Sequence, residues 1–354
     1  MTKWKEDEKP EKYGILVNAG HKFRGDIIVT LYEKEFGLYP YYHNFSDLTS
    51  AVNGGIPQRA NLSAHLSKVR SDIDKEIPNK DFDGLAIIDY EEWRPLWEHN
   101  WYTKRIYRNA SLAYVEEQYK NTGKTLTKGD ELAKQEFNQA AMKFLTETIR
   151  EAKKMRPNAL WGFYGMPFCN YSAGKNGTVG CGEVFEEFNN RLQPLYAEAT
   201  AFYPSIYLPS RNSGRTGCLY VTSVLQEAKR CAENLSIPIF TFNGIEYFPL
   251  ESTNPYYTQE DLSHSLNTAF VMGVQGTIIW SSSKDMVKRC DGIGDYVLKY
   301  VGRKVKELKT CDKIRRIRKR QIPDQISCTV KNDPAYDNCQ NAMTSINKPA
   351  ITAK

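Results

Sequence analysis

The chain has 354 residues, which is long enough for one large barrel or for two ordinary domains. Hydrophobic residues make up 41% of it and charged residues 25%, and this composition excludes a wholly disordered, collagen-like or coiled-coil protein. The net charge of +6 is modest and comes partly from one basic cluster near the C-terminus, so it does not by itself indicate a polyanionic partner.

Short β-branched and aromatic runs alternate along the chain with longer segments of helical periodicity. Strands are predicted at Ile27–Tyr32, Gly84–Asp89, Leu160–Tyr164, Pro204–Leu208, Ile237–Phe242 and Gly276–Trp280. Helices are predicted at Leu62–Ile77, Asp130–Met155, Glu183–Thr200, Ser223–Leu235 and Gln259–Val271. Thr258 is the predicted N-cap of the last helix, with Asp261 three residues further on. This alternation predicts an α/β protein with a parallel sheet and crossover helices.

An open doubly wound sheet and a closed (β/α) barrel both fit this pattern. Polar or aromatic residues stand at the C-terminal ends of four strand runs, namely Asp89 with Glu91, Tyr164, Tyr207 and Trp280. A barrel gathers all strand ends around one mouth, so four separate ends can contribute to one site. The sequence has no Gly-x-Gly-x-x-Gly motif after a strand and no P-loop motif, so nucleotide binding has no support.

The segment Asp81–Trp97 contains the most informative motif, because an apolar run ends abruptly in Asp89 and Glu91. In extended backbone, residues two apart share a face, with Cα atoms about 6.5–7 Å apart. Two carboxyls in a cleft push their pKa values apart, and one then becomes the proton donor that glycoside cleavage requires. An acidic cluster after a strand is also typical of a helix N-cap or a solvated loop. Arg94 either holds a carboxylate ionised or binds substrate.

This segment resembles the catalytic motif of the hyaluronidase family of glycoside hydrolases. The resemblance extends from about Glu11 to Tyr300. It is carried, in the family's order, by Glu11-Lys-Tyr-Gly-Ile-Leu, Lys22-Phe-Arg-Gly, Gly54-Gly-Ile-Pro-Gln58, Met155-Arg-Pro, Trp161-Gly-Phe-Tyr164-Gly-Met-Pro-Phe-Cys169, Pro204-Ser-Ile-Tyr207-Leu and Ile278-Ile-Trp280-Ser-Ser. It implies a distorted TIM-like (β/α) barrel of seven strands over residues 11–310. A charged stub, residues 1–10, would precede the barrel, and a basic, cysteine-containing tail, residues 311–354, would follow it.

The resemblance also implies roles for single residues. Glu91 matches the family's proton donor, and the nucleophile is the substrate's own N-acetyl oxygen, so no protein carboxylate needs to reach C1. Asp89 would share a proton with Glu91 and assist the acetamide nitrogen. Further substrate contacts are implied for Tyr164, Tyr207, Trp280 and Ser282, although aromatic residues also pack in the core at the top of a barrel.

Cysteines and the chain start give further expectations from the resemblance. It implies a disulfide between Cys169 and Cys181, and a second bridge from Cys290 to a cysteine on a first strand ahead of Glu11. That strand and that cysteine are absent from this sequence. We therefore expect additional upstream sequence that supplies a signal segment, a strand and a cysteine. Pairing stays open for Cys218, Cys231, Cys311, Cys328 and Cys339.

Six Asn-x-Ser/Thr sequons favour a secreted or lysosomal protein, although the opening residues contain no apolar signal segment. The sequons begin at Asn44, Asn61, Asn109, Asn170, Asn176 and Asn234. No stretch approaches the roughly 18 apolar residues of a membrane span, so no span is expected. We also expect the protein to be a monomer. The five histidines are scattered without metal-ligand spacing, so neither a metal nor a cofactor is expected.

The basic run at residues 313–320 is typical of a solvated turn of helix, and also fits a polyanion site or a dibasic cleavage site. Nothing else supports nucleic-acid binding. The predicted function is an endo-β-N-acetylhexosaminidase that hydrolyses the glycosaminoglycans hyaluronan or chondroitin. The alternatives are a catalytically inactive glycosaminoglycan-binding relative and a polyanion-binding protein that acts through its tail. The intact set of Asp89, Glu91, Tyr164, Tyr207 and Trp280 favours the enzyme.

Overall fold

The computed structural model describes residues 9–122, 127–209, 214–248, 250 and 255–319. They divide into two compact units. The N-terminal unit contains Asn18–Tyr164 and Asn190–Phe202. The C-terminal unit contains residues 9–17, Gly165–Asn189 and the described residues from Tyr203 onward.

The N-terminal unit combines short strands with three long helices. Its strands are β1 (Ile28–Tyr32), β2 (Tyr41–Tyr42), β3 (Ala51–Val52), β4 (Leu85–Asp89) and β5 (Leu160–Phe163). Its helices are α1 (Leu62–Glu76), α2 (Arg105–Thr122) and α3 (Gly129–Met155). The apolar stripe predicted on α3 is buried, and it includes Phe137, Ala141, Phe144, Leu145, Ile149 and Ala152.

β1, β4 and β5 form a parallel sheet with β4 in the centre. β4 reads Leu-Ala-Ile-Ile-Asp, and its apolar run suits a strand covered on both faces. Gly84 stands directly before β4, where Leu85 donates to the Ile27 carbonyl at 2.8 Å. A Cβ at Gly84 would lie 2.4 Å from that carbonyl oxygen, so only glycine lets β1 and β4 begin this close together.

The C-terminal unit contains the second parallel pair of strands. Its elements are the first part of α4 (Glu183–Tyr196), then α5 (Arg215–Ala232), β6 (Phe240–Asn243), α6 (Gln259–Val271), β7 (Gly276–Ile279), α7 (Met286–Tyr296) and α8 (Gly302–Lys319). α7 continues into α8 through a π-helical segment, Val297–Val301. β6 pairs with β7 in parallel, and Cys169 and Cys181 form a disulfide with an S–S distance of 1.99 Å.

The expected α/β class with parallel strands is observed, but the strands in the described ranges do not close into a seven-stranded barrel. The predicted strand Pro204–Leu208 is reduced to one parallel bridge between Ser205 and Phe242. Proline has no N–H to donate to a ladder, and Pro204 and Pro209 flank this segment. Pro238 explains in the same way why β6 begins at Phe240 rather than at Ile237.

Sequon asparagines lie mainly on the surface of the described chain. Asn44, Asn61, Asn109, Asn176 and Asn234 are exposed and Asn170 is half-buried. Several use Oδ1 to accept a backbone N–H: Asn61 caps α1 through Ala64 at 3.0 Å, and Asn44 accepts from Ser46 at 2.9 Å. Asn176 accepts from the N–H of Thr178 at 3.1 Å. No described helix is both long and apolar enough to cross a membrane.

Candidate functional site

The carboxyl ends of β1, β4 and β5 bring polar residues together at one edge of the N-terminal sheet. Tyr32 pairs with Asp89 in the register of β1 and β4. Tyr164 follows β5, and its N–H donates to the β4 carbonyl just before Asp89 at 2.9 Å. Glu33 follows β1, and its N–H donates to the Asp89 carbonyl at 3.0 Å. With Glu91, two residues beyond Asp89, this edge holds three carboxyls, which we call the carboxylate cluster: Glu33, Asp89 and Glu91.

Asp89 is the most buried member of the carboxylate cluster, with 9% of its surface exposed. Its Oδ1 has no hydrogen-bond partner among the described residues. Burial, together with the negative charges of Glu91 and Glu33, raises the pKa of Asp89 well above the usual range. Asp89 therefore keeps a proton at pH values where an exposed aspartate has lost it.

Glu91 differs from Asp89 because it is exposed to solvent. Surrounding protein atoms still restrict its hydration, and this desolvation raises its pKa against the opposing positive charges of Lys104 and Arg94. A carboxyl with a raised pKa that is open to solvent is suited to act as a general acid. Within the cluster, Asp89 and Glu91 thus combine a buried carboxyl with an accessible one.

Glu33 is a site residue that the sequence reasoning missed. It is half-buried, and burial is the main cause that raises its pKa to about 7, with the charges of Glu92 and Glu91 adding to the effect. A sequence pattern pointed to Glu33, because it directly follows the predicted strand Ile27–Tyr32. Asp89 likewise ends the next predicted strand. The rule that polar residues at strand ends gather at one edge applies to both.

The backbone that carries Glu91 is fixed from two sides. The ammonium of Lys104 donates to the carbonyl oxygens of Glu91 and Glu92, the latter at 2.9 Å. Trp93 is buried, and its indole N–H donates to the Pro40 carbonyl at 2.8 Å. These contacts hold the segment after β4 in one conformation, so the position of the Glu91 carboxyl is preorganised.

Arg94 lies close to the carboxylate cluster and acts on it by charge. Its backbone N–H donates to Asn100 Oδ1 at 3.0 Å, and its guanidinium stands over the Trp101 ring, 5.9 Å from the centroid. The charge of Arg94 lowers the pKa of both Glu91 and Lys104, although burial is the largest influence on each. Both roles suggested for Arg94, holding a carboxylate ionised and binding substrate, stay predictions.

The C-terminal unit contains the predicted aromatic residues. Tyr207 and Trp280 are both half-buried, and their rings stack with centroids 5.9 Å apart and planes 25° apart. Trp280 directly follows β7, and its N–H donates to the Asn243 carbonyl at 3.0 Å. Ser282 is half-buried, and its Oγ accepts the Lys284 N–H at 3.1 Å.

A buried ion pair holds the loop that follows Trp280. The Glu246 side chain is 2% exposed and that of Arg289 15% exposed, and Arg289 Nε donates to Glu246 Oε1 at 3.0 Å. Arg289 also donates to Ser281 Oγ at 2.7 Å and to the Ser282 carbonyl at 3.0 Å. Neither Glu246 nor Arg289 was predicted, because a buried salt bridge between distant residues leaves no local pattern in the sequence.

The structure thus places the predicted residues in two groups. Asp89, Glu91, Arg94 and Tyr164 lie in the N-terminal unit, and Tyr207, Trp280 and Ser282 lie in the C-terminal unit.

Comparisons with known proteins match most of the chain. The model of a glycoside hydrolase family described as Hyaluronidase matches residues 1–333. The chondroitin hydrolase of Caenorhabditis elegans is 37% identical over 295 residues, which are 81% of this chain and 63% of the relative. Hyaluronidase PH-20 of Homo sapiens is 36% identical over 281 residues, which are 77% of this chain and 54% of that protein.

A similar solved structure is bee venom hyaluronidase in complex with a hyaluronic acid tetramer. It matches with a TM-score of 0.78 at 29% identity, over 87% of this chain and 94% of that chain. By contrast, the chain spans less than two thirds of several curated relatives, including 63% of the Caenorhabditis elegans protein and 66% of Hyaluronidase-1 from Sus scrofa.

Proposed function

Because the chain belongs to the hyaluronidase family, we propose that it is a glycoside hydrolase that cleaves hyaluronan or chondroitin at the bond after the N-acetylhexosamine. The observation that carries this proposal is the pairing of the buried Asp89 with the accessible Glu91, both with raised pKa. The Caenorhabditis elegans relative is named for chondroitin and the bee protein was solved with a hyaluronic acid tetramer, so both polymers are candidate substrates.

In the proposed reaction, Glu91 donates its proton to the glycosidic oxygen as the bond between that oxygen and C1 breaks. The carbonyl oxygen of the sugar's own acetamide forms the new bond to C1, which gives a cyclic oxazolinium-type intermediate. Asp89 supports the acetamide nitrogen, where positive charge develops. Water then attacks C1 while Glu91 takes up its proton, which restores the acid and retains the configuration.

The remaining predicted residues have supporting roles in this proposal. Tyr164, beside Asp89 at the end of β5, contacts the acetamide, and Arg94 tunes the charge of Glu91. The Tyr207–Trp280 stack provides a flat wall for a sugar ring, and Ser282 a polar contact at its rim.

We further propose that the protein acts as a monomer in an oxidising compartment, secreted or lysosomal. The Cys169–Cys181 disulfide and five exposed sequon asparagines support this location.

The test is the release of reducing ends from hyaluronan and from unsulfated chondroitin. Glu91→Gln keeps the shape of the side chain but removes the transferable proton, so turnover should fall by about 10² to 10⁴. Binding of the same polymers should change little. Glu35→Gln is the control, since the Glu35 side chain is 61% exposed and pairs with Arg24, so most activity should remain.

Two results would contradict the proposal. One is Glu91→Gln with turnover close to that of the wild type. The other is a wild-type protein that binds both polymers and cleaves neither, which would indicate an inactive binding relative. Proton NMR of the first product adds a check on the mechanism, because the new reducing end should appear as the β-anomer.

A further inference from the structure

An exposed aromatic pair lies in the N-terminal unit next to the lysine that fixes Glu91. Trp101 is 37% exposed and Tyr102 is 77% exposed, and their ring centroids are 4.9 Å apart at an interplanar angle of 60°. Lys104, which donates to the Glu91 and Glu92 carbonyls, is part of the same turn, since its N–H donates to the Trp101 carbonyl at 3.1 Å. We call Trp101 and Tyr102 the aromatic platform.

The backbone of the aromatic platform is strained. Tyr102 has a φ of 50°, in the left-handed region that is unfavourable for a residue with a large side chain. Such a conformation persists only where neighbouring contacts impose it, and it concentrates at binding sites. The turn Tyr102–Lys104 runs directly into α2, whose first residue, Arg105, donates back to Tyr102 and Thr103. This connection keeps the Tyr102 ring in solvent. The ring therefore contributes nothing to core packing.

Positive charge surrounds the aromatic platform. Arg94 stands over Trp101, and Arg105 is exposed and forms no ion pair with any described residue. Burial and the charge of Arg94 lower the pKa of Lys104, although Glu91, Glu92 and Glu33 act on it in the opposite direction. Burial and the charge of Arg105 likewise lower the pKa of Arg108. The cations here repel one another.

The acidic residue closest in sequence is held by other cations, although its charge still acts to raise the pKa of Arg108. Glu98 is bound by Lys134 at 2.7 Å and by Arg191 at 2.9 Å. Arg108 donates to backbone carbonyls, those of Trp97 and Glu98, both at 2.8 Å. The platform therefore has the exposed cation Arg105 at its α2 side, while the acidic residues Glu91, Glu92 and Glu33 act on it from the side of Lys104.

We propose that the aromatic platform binds a sugar ring of an anionic glycan at a position outside the residues that carry out cleavage. The C–H face of a sugar packs on an indole or phenol ring, and the carboxylate of a uronate pairs with Arg105 or Arg94. The occupant is a segment of the same glycosaminoglycan chain that reaches Glu91, so the inference rests on the proposed function and extends it. The platform adds affinity for long chains without taking part in the reaction.

The experiment measures binding by calorimetry in the Glu91→Gln background, with hyaluronan and chondroitin oligosaccharides of increasing length. Trp101→Ala and Tyr102→Ala should weaken binding of the long oligosaccharides by roughly three- to tenfold each, the loss of one stacked ring. Tyr102→Phe keeps the ring and should bind like the parent. Arg105→Gln should reduce the salt dependence of binding.

Tyr114→Ala is the matched control. Tyr114 lies on α2 in the same unit under the guanidinium of Arg59 at 5.3 Å, but Arg59 is paired with Glu117. The charge of Arg59 is thus neutralised by Glu117. Removing the Tyr114 ring should therefore not weaken glycan binding. Thermal unfolding of every variant checks that the fold is intact.

Three outcomes would overturn the inference. The platform variants could bind long oligosaccharides as tightly as Tyr114→Ala, Tyr102→Phe could be as weak as Tyr102→Ala, or the loss could be equal at every length. Equal loss would indicate damage around Glu91 rather than a separate contact. These results are independent of the proposed function, because a failure to cleave appears in the wild type and the binding series needs no cleavage.

Discussion

Asp89 and Glu33 are placed where burial makes ionisation unfavourable, and the charge of Glu33 makes Asp89 still harder to ionise. An acid catalyst works near the pH at which it still holds its proton, so the charges around the pair help to set the working range. Glu33 contributes only where it is itself ionised. Because its pKa is about 7, that contribution begins near neutral pH and is small in acid.

We predict that Glu33→Gln changes the pH profile of hydrolysis on its basic side. Without the charge of Glu33, the pKa of Asp89 moves down, and activity should fall off at a lower pH than in the wild type. At acid pH the two proteins should be alike within about threefold, since Glu33 is neutral there. The measurement is the rate at low substrate concentration across the pH range.

Glu35→Gln serves as the control for this change. Glu35 is two residues further along, its side chain is 61% exposed, and it pairs with Arg24. Its profile should follow the wild type. An unchanged basic limb in Glu33→Gln would show that Glu33 has no influence on the acid pair.

The loop after β7 depends on the buried pair of Glu246 and Arg289. Arg289→Ala leaves the Glu246 carboxylate buried without its partner and should cost about 3–5 kcal/mol of stability. It also removes the contacts to Ser281 and Ser282, so Trp280 should lose its fixed position and KM for the polymer should rise. Chemical unfolding and steady-state kinetics measure the two effects separately.

A double variant separates stability from positioning. Glu246→Leu with Arg289→Met replaces the pair by apolar side chains and should recover much of the lost stability. The carbonyl contacts of Arg289 stay absent, so KM should remain high; a return to the wild-type KM would mean that the loop does not need them. Lys299→Ala breaks an exposed pair with Asp295 and should leave stability nearly unchanged, because solvent screens this pair.

The elements that were predictable are those with a local signal at their ends. α6 begins and ends as predicted because its N-cap can be read from the sequence, and Thr258 Oγ accepts the Asp261 N–H at its start. α5 was predicted to begin at Ser223 but begins at Arg215, because its first turns are buried on all sides and show no polar face. The segment Pro204–Leu208 was apolar enough to be predicted as a strand. The Ile206 N–H donates to the Phe242 carbonyl, but Pro204 and Pro209 have no N–H to extend the ladder.

The site residues likewise divide into those that a local sequence pattern reveals and those that only the fold brings together. Asp89 and Glu91 could be found from the abrupt end of an apolar run. Glu33 follows the same rule one strand earlier. Glu246 and Arg289 are 43 positions apart, and only the fold brings them into contact.

Over the whole molecule, two sets of buried groups act on stability in opposite pH ranges. Asp89 and Glu33 have raised pKa in the fold, so the folded protein binds protons that the unfolded chain has released, and stability falls as pH rises through neutrality. Burial lowers the pKa of His65 and His99 to about 3. These histidines charge on unfolding in acid, so stability falls as pH drops below the usual histidine value.

We therefore predict maximal stability between about pH 4.5 and 6.5, where the two effects oppose each other. Urea unfolding followed by tryptophan fluorescence measures it, because Trp93 and Trp161 are buried in the unit that contains all four groups. Asp89→Asn combined with Glu33→Gln should flatten the loss on the basic side. Stability that rises steadily from pH 6.5 to 8 would contradict the assignment.

The capping role of Asn61 has a consequence for attached carbohydrate. A glycan on asparagine is linked through Nδ2, whereas the cap of α1 uses Oδ1, which accepts the Ala64 N–H. Asn44 and Asn176 likewise commit Oδ1 to a backbone N–H. At these positions the sugar and the fold use opposite ends of one amide, so enzymatic trimming of the glycans should leave the caps, and hence the melting temperature, nearly unchanged.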